Sequence, residues 1–204
     1  GVRQITWDDL VPPAAPLVDP FEKLEMNDKV ELGFIYDIAR QLELGYIDKT
    51  DGNIPYAMEL RAKLTAKGLD VTALLAQDRA FRTEIQARGR QVVGALNGQV
   101  VQMPGYALPL EFTEKAINKF LLVPYVGACI HSPPPPPNQL IVVTLEKPYK
   151  VSDIYDPIWI TGRLSAKAAT EQLDFIDGQT DVESGYAMTG MEIAPYEDPD
   201  DKKK

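Results

Sequence analysis

Val100-Val-Gln-Met-Pro104-Gly105-Tyr106-Ala-Leu-Pro-Leu-Glu-Phe112 is rich in β-branched and aromatic residues and is broken near its middle by a Pro-Gly pair. A proline cannot donate to a strand ladder, and a glycine leaves room for a sharp change of direction. The pair therefore reads as a bend or bulge inside one long strand. Outward from it, further strands are predicted at Phe120 to Tyr125, Leu140 to Leu145, Pro157 to Leu164 and Gly185 to Ile193, separated by turn-rich or charged stretches. Five strands led by a bent one, with no long amphipathic helix between them, predict a small, partly open β-barrel of the oligonucleotide/oligosaccharide-binding (OB) type.

Upstream the apolar period changes from two to helical. Val30, Phe34, Ile38 and Leu42 recur at helical spacing and predict a first helix from about Asp28 to Leu44, capped by Asn27 or Asp28. Asp51-Gly52-Asn53 breaks the chain before a second, shorter helix over Tyr56 to Ala66, which carries Met58, Leu60 and Leu64 and is stopped by Gly68. Asp70 caps a third, ending near Gln91, with Leu74, Leu75, Phe81 and Ile85 on one face and Asp78, Arg79, Arg82, Glu84 and Arg88 toward solvent. Before the helices, Ile5 to Leu10 and the prolines at 12, 13, 16 and 20 form an extended arm. The class is α+β: an arm and helical region over 1–95, a barrel over 96–196 and a charged, disordered tail over 197–204, in one structural unit.

A chain of 204 residues buries roughly 70 % of its unfolded surface on folding and needs neither metal nor disulfide to hold a core. Any metal would be functional before structural. With 30 acidic and 21 basic side chains the net charge is -9, which opposes the phosphate neutralisation that nucleic-acid binding depends on and disfavours anionic lipid. No apolar run approaches the roughly 20 residues of a membrane helix. The single cysteine excludes an intrachain disulfide and leaves the compartment open. Numbering begins at Gly1-Val2-Arg3 without an apolar leader, compatible with a signal peptide already trimmed.

One segment stands apart. Gly127-Ala-Cys129-Ile-His131-Ser-Pro-Pro-Pro-Pro-Pro-Asn138-Gln139 holds the only cysteine, the only histidine and five consecutive prolines, Pro133, Pro134, Pro135, Pro136 and Pro137. In an extended chain Cys129 and His131 point to one face, where sulfur and imidazole can meet a common ligand or each other. A thiol beside an imidazole becomes a thiolate more readily, giving a nucleophile or a soft metal ligand such as zinc favours. Two ligands do not complete a zinc site, and Glu111, Asp156 and Glu192 are the candidates for the rest by residue type. The competing reading is that Cys129 and His131 serve packing. The proline run is stiff polyproline II; it reads either as a partner-docking loop with Asn138 and Gln139 or as a rigid connection between two strands.

Tyr106, Tyr125, Trp159 and Tyr186 offer an aromatic face on the barrel of the kind that stacks on ligands, or else core. No glycine-rich phosphate loop, nucleophile elbow or paired-cysteine motif is present.

Ile5-Thr-Trp-Asp-Asp-Leu10, Leu96-Asn-Gly-Gln-Val-Val-Gln-Met-Pro-Gly-Tyr-Ala-Leu-Pro-Leu110, Leu122-Val-Pro-Tyr-Val-Gly-Ala-Cys-Ile-His-Ser-Pro-Pro-Pro-Pro-Pro-Asn-Gln139 and Pro157-Ile-Trp-Ile-Thr-Gly162 together resemble a family of bacterial proteins known only as a domain of unknown function. Members look like exported proteins or lipoproteins, often encoded beside an ABC permease pair of the lipoprotein-release or macrolide-exporter type, in some cases among zinc-responsive genes. The resemblance implies a periplasmic accessory of an envelope transporter, lipid-anchored in some forms, with the permease or its lipoprotein partners as partners and zinc as a candidate ligand. The single histidine and the lack of a His-rich tract depart from a strong metal-binding pattern.

Three readings follow. The first is a non-enzymatic binding or adaptor module of an ABC transport system, binding zinc at Cys129 and His131 in one version. The second is an enzyme of thiol transfer or hydrolysis with Cys129 as nucleophile and His131 as its base. The third is a structural protein that docks a partner through the polyproline loop.

Overall fold

The computed structural model describes residues 1–113, 116–128, 134–150, 156–175 and 178–197, with the backbone alone at 111–113, 174, 175 and 178. It divides into two compact units, Gly1–Ala14 with Gln86–Lys204, and Ala15–Ile85. The first residues of the arm therefore go with the strands.

In the helical unit, α1 (Met26–Glu43), α2 (Asn53–Ala66) and the body of α3 (Val71–Gly89) follow the expected order. Phe21, Leu32, Ile35, Leu60, Leu64 and Val71 form its core. Asp70 caps α3 through the amide of Ala73 at 3.0 Å, and Gly68 takes φ +93 after α2, a left-handed turn that suits glycine.

Three expectations about these helices need correction. Asp28 is not a cap: α1 starts earlier, and the buried carboxylate of Asp28 accepts a hydrogen bond from Lys67 Nζ at 2.6 Å. Val30 is 63 % exposed, because the inward stripe of α1 is Leu32, Ile35 and Ile38, a register that takes in Ile38 but not Val30. On α3, Asp78 is buried, accepting from Arg82 Nε at 2.7 Å, while Ile85 is 46 % exposed. A buried carboxylate needs such a partner, and the Arg82 guanidinium also lies 4.8 Å from the Tyr36 ring.

The strand unit is a five-stranded barrel with additions. β2 (Val100–Thr113), β3 (Ala116–Val123), β4 (Ile141–Tyr149), β8 (Tyr186–Pro195) and β5 (Ile158–Ser165) pair in that order, and β5 pairs back onto β2. The β4–β8 pair is parallel and the other four are antiparallel. Numbered within the barrel alone, the order is 1-2-3-5-4-1, with third and fifth strands parallel, the OB arrangement. The barrel is closed where a partly open one was expected, because Val100 to Gly105 of β2 pairs along its length with Arg163 to Ile158 of β5.

The Pro104-Gly105 pair is the corner that allows closure. Up to Gly105, β2 pairs with β5; from Tyr106 on it pairs with β3. A Cβ at Gly105 would lie 2.8 Å from the Leu122 side chain and 3.1 Å from the Val123 carbonyl oxygen, so the two strands meet too closely for any larger residue. The short β1 (Arg3–Gln4) lies parallel to the first half of β2. Trp7 then fixes the corner by donating its indole N–H to the Pro104 carbonyl oxygen at 2.9 Å.

The barrel interior is filled by side chains. Ile5, Leu10, Met103, Phe120, Leu122, Ile141, Val143, Ile160, Leu164 and Tyr186 are among its buried residues. A second apolar cluster lies on the outer face, where Leu121 of β3 and Val142 of β4 pack under Leu173 and Val182. The latter two belong to a hairpin of β6 (Ala169–Phe175) and β7 (Gly178–Ser184) inserted between β5 and β8. Neither β1 nor this hairpin was expected from the sequence.

Candidate functional site

The connection from β3 to β4 contains the proline run. Cys129, Ile130, His131, Ser132 and Pro133 lie outside the described residues. From Pro134 onward the geometry is defined: Pro134 and Pro136 are exposed, Pro135 is buried and Pro137 is half-buried. Pro136 has φ -60 and ψ 156, the polyproline II conformation that its ring favours.

The segment then turns through one 3-10 turn, Pro137–Gln139, closed by Gln139 N–H donating to the Pro136 carbonyl at 2.8 Å. Several of its polar groups bond within the protein. The Pro137 carbonyl accepts from Gly185 N–H at 2.6 Å, at the junction of β7 and β8. The side-chain amide of the buried Asn138 donates to the carbonyls of Arg88 at 3.0 Å and Gln91 at 3.1 Å, at and just past the end of α3. A helix end leaves its last carbonyls without helical partners, and Asn138 supplies them. Gln139 Nε2 donates to the Trp7 carbonyl at 3.0 Å, tying in the arm.

Two glycines make this close packing possible. A Cβ at Gly89 would sit 2.7 Å from Pro136 Cβ, and one at Gly185 would sit 2.9 Å from the Pro137 carbonyl oxygen. Beneath them, the Tyr186 hydroxyl accepts from Val93 N–H at 2.7 Å and donates to the Leu10 carbonyl at 2.8 Å. Burial pushes the Tyr186 hydroxyl above its ordinary pKa, opposed in part by the Val93 hydrogen bond.

The site residues expected from the sequence divide accordingly. Asn138 and Gln139 were read either as part of a partner-docking loop or as part of a rigid connection; their side-chain amides donate to internal carbonyls, and Pro135 is buried with them. The outward surface of the described part of the loop is Pro134 and Pro136. Of the two readings of Tyr186, aromatic face or core, the structure takes the core: as the first residue of β8 it points into the barrel and is fully buried. Trp159 stacks on Tyr196 at 5.4 Å, a partner the sequence reading missed. Tyr106 packs half-buried against the outer cluster, and Tyr125 is exposed just after β3.

Of the further metal-ligand candidates, Asp156 and Glu192 are exposed; Glu192 stands opposite Thr161 on β5, and Asp156 just precedes that strand. Glu111 lies in β2 opposite Lys119, between two irregularities of the β2–β3 pairing, and its side chain is outside the described residues. Among the described residues no three His, Cys, Asp or Glu side chains are grouped to hold a metal ion. No described helix is long and apolar enough to cross a membrane.

OB barrels take oligomers on the outer face of their second and third strands. Here those strands are β3 and β4, and the β6–β7 hairpin covers them: Leu173 and Val182 close over Leu121 and Val142, and Lys119 of β3 pairs with Glu171 of β6 at 3.1 Å. The polymer-binding face is occupied by the chain itself.

Residues 7–195 match the model of a family described as a protein of unknown function, DUF3299. No curated protein matches the chain. Among solved structures it is similar to the crystal structure of a DUF3299 family protein from Pseudomonas aeruginosa PAO1, with 26 % identity over 97 % of this chain and 98 % of that one, at a TM-score of 0.50.

Proposed function

The chain belongs to the DUF3299 family of proteins of unknown function, and we propose that it is a non-catalytic docking module of a bacterial envelope ABC transport system, working in the periplasm. The observation that carries this reading is the way the proline segment is held. Asn138, Gln139 and the Pro137 carbonyl fix it to the end of α3, the arm and the start of β8, while Pro134 and Pro136 stay exposed.

A polyproline II ridge is already extended before it binds, so a partner groove orders little on contact. Aromatic-lined grooves take such ridges. The side-chain amides of Asn138 and Gln139 bond inside the protein, and the exposed rings of Pro134 and Pro136 are what the described segment offers a partner. The surrounding arrangement also favours protein docking over polymer binding, since the hairpin closes the face an OB barrel would offer to an oligomer.

The test is a photo-crosslinking residue placed at Pro136 and, as control, at Glu192. Adducts with an envelope ABC permease at position 136 but not at 192 support the proposal; equal or absent crosslinking contradicts it.

A further inference from the structure

Beside the hairpin, the outer face from Thr144 of β4 across β8 to Arg163 of β5 is exposed and shallowly hollowed. Strand register sets Thr144, Thr189 and Arg163 side by side across these three strands, and Val142, Ala187 and Ser165 side by side in the next rank. The interior takes Val143, Met188 and Leu164 from the same strands, so both ranks point outward. With only Ala187 between Val142 and Ser165, the second rank sinks, and a groove of about 340 Å³ results.

The turn at Asn97-Gly98 forms one wall and is fastened to β5 on three sides. Gly98 N–H donates to the Leu164 carbonyl at 2.7 Å, Arg163 Nη1 donates to the Gly98 carbonyl at 2.6 Å, and Asn97 Oδ1 accepts from Ala166 N–H at 3.0 Å. The Gly98 bond holds the Arg163 guanidinium in place while leaving other N–H groups of the fork unspent by it. No carboxylate is among the residues lining the groove, in a chain whose net charge is -9. The groove shares Val142 with the apolar cluster under the hairpin.

We propose that this groove binds a small molecule bearing one oxyanion group, seated on Arg163 and the Thr189 hydroxyl, with Thr144 and Ser165 bonding its remaining polar atoms. The volume falls at the lower end of the range of small-molecule sites, roughly 300 to 1,000 Å³. A guanidinium with adjoining hydroxyls is the donor set that carboxylates and phosphates take. The inference stands apart from the docking proposal and uses none of its residues.

The test is an amide-shift titration of the isotope-labelled full chain with inorganic phosphate in one arm and lactate in the other, which separates phosphate from carboxylate as the source. The expected result is a saturable shift confined to the amides near Thr144, Arg163 to Ser165 and Ala187 to Thr189, in the millimolar range. Arg163→Gln should weaken it about ten-fold or more, and Arg163→Lys should restore part. Thr189→Val keeps the Arg163 bond to Gly98 and should weaken binding as well, which guards against a folding defect in the arginine variant. Absence of saturation with both probes, or equal binding by wild type, Arg163→Gln and Thr189→Val, overturns the proposal.

Discussion

Asn138 donates its side-chain amide to the Arg88 carbonyl at 3.0 Å, joining the end of the proline run to the last turn of α3 across fifty positions of sequence. The same amide also reaches the Gln91 carbonyl, so one buried side chain satisfies two main-chain acceptors. Asn138→Ala should therefore cost about 2 to 3 kcal/mol, from leaving both carbonyls without that donor. Asn138→Asp should cost more, since a carboxylate would face the same oxygens. Urea denaturation checks this as a lower midpoint at unchanged slope.

Gly185 and Gly94 make a matched pair of substitutions. A Cβ at Gly185 meets the Pro137 carbonyl oxygen at 2.9 Å, whereas one at Gly94 meets nothing within 4 Å. Gly185→Ala should destabilise by about 1 to 3 kcal/mol, through overpacking and displacement of the Gly185–Pro137 bond, while Gly94→Ala should stay within about 0.5 kcal/mol. Thermal melts of the two variants beside wild type give the comparison.

The buried hydroxyl of Tyr186 has its pKa raised by desolvation. Above the unfolded value near 10 the unfolded chain releases this proton while the folded one retains it, so the native state binds more protons and stability falls as pH rises through the folded value. Below pH 10 the contribution is fully present. Tyr186→Phe should lower stability at neutral pH by about 1 to 3 kcal/mol, through the Val93 amide and Leu10 carbonyl left without their partner, and should flatten the alkaline limb of the stability profile. Denaturation midpoints from pH 7 to 11 measure both.

Among the described residues, Leu173 and Val182 are what the hairpin contributes to the outer cluster over β3 and β4. Leu173→Ala should cost about 2 to 4 kcal/mol locally. Hydrogen exchange should accelerate across β6 and β7 well before it does in the barrel strands. Uniform acceleration throughout the barrel would show instead that the hairpin is part of the central cooperative unit.

Much of the architecture was legible because strand and helix periods are set by burial. β2 announced itself through Pro104-Gly105, and the same two residues turn out to mark the change of partner from β5 to β3. β1 is two residues long and carries no period to read. The hairpin was missed because Thr170, Glu171, Gln172, Thr180, Asp181 and Glu183 surround Leu173 and Val182, which leaves little apolar alternation; the Asp177-Gly178 pair in the sequence was the available hairpin signal. Asp78 was read as outward because polar residues usually are, and the long-range partners of Asn138, Arg88 and Gln91, are invisible to local pattern. Tyr186 was left open between an outer face and the core, since inward and outward strand positions differ by one residue, and the β8 register places it in the core.

The most direct test of the docking proposal is the affinity of the purified full chain for the periplasmic domain of an envelope ABC permease from the same organism, with Pro134→Ala/Pro136→Ala compared with wild type and with Cys129→Ala/His131→Ala. The expected result is binding weakened about ten-fold or more by the proline pair, at unchanged melting temperature, and left intact by the Cys129 and His131 pair. Undiminished binding by the proline variant would contradict the proposal, as would binding lost only in the Cys129 and His131 variant together with stoichiometric zinc in the wild type, which would transfer the function to the metal reading.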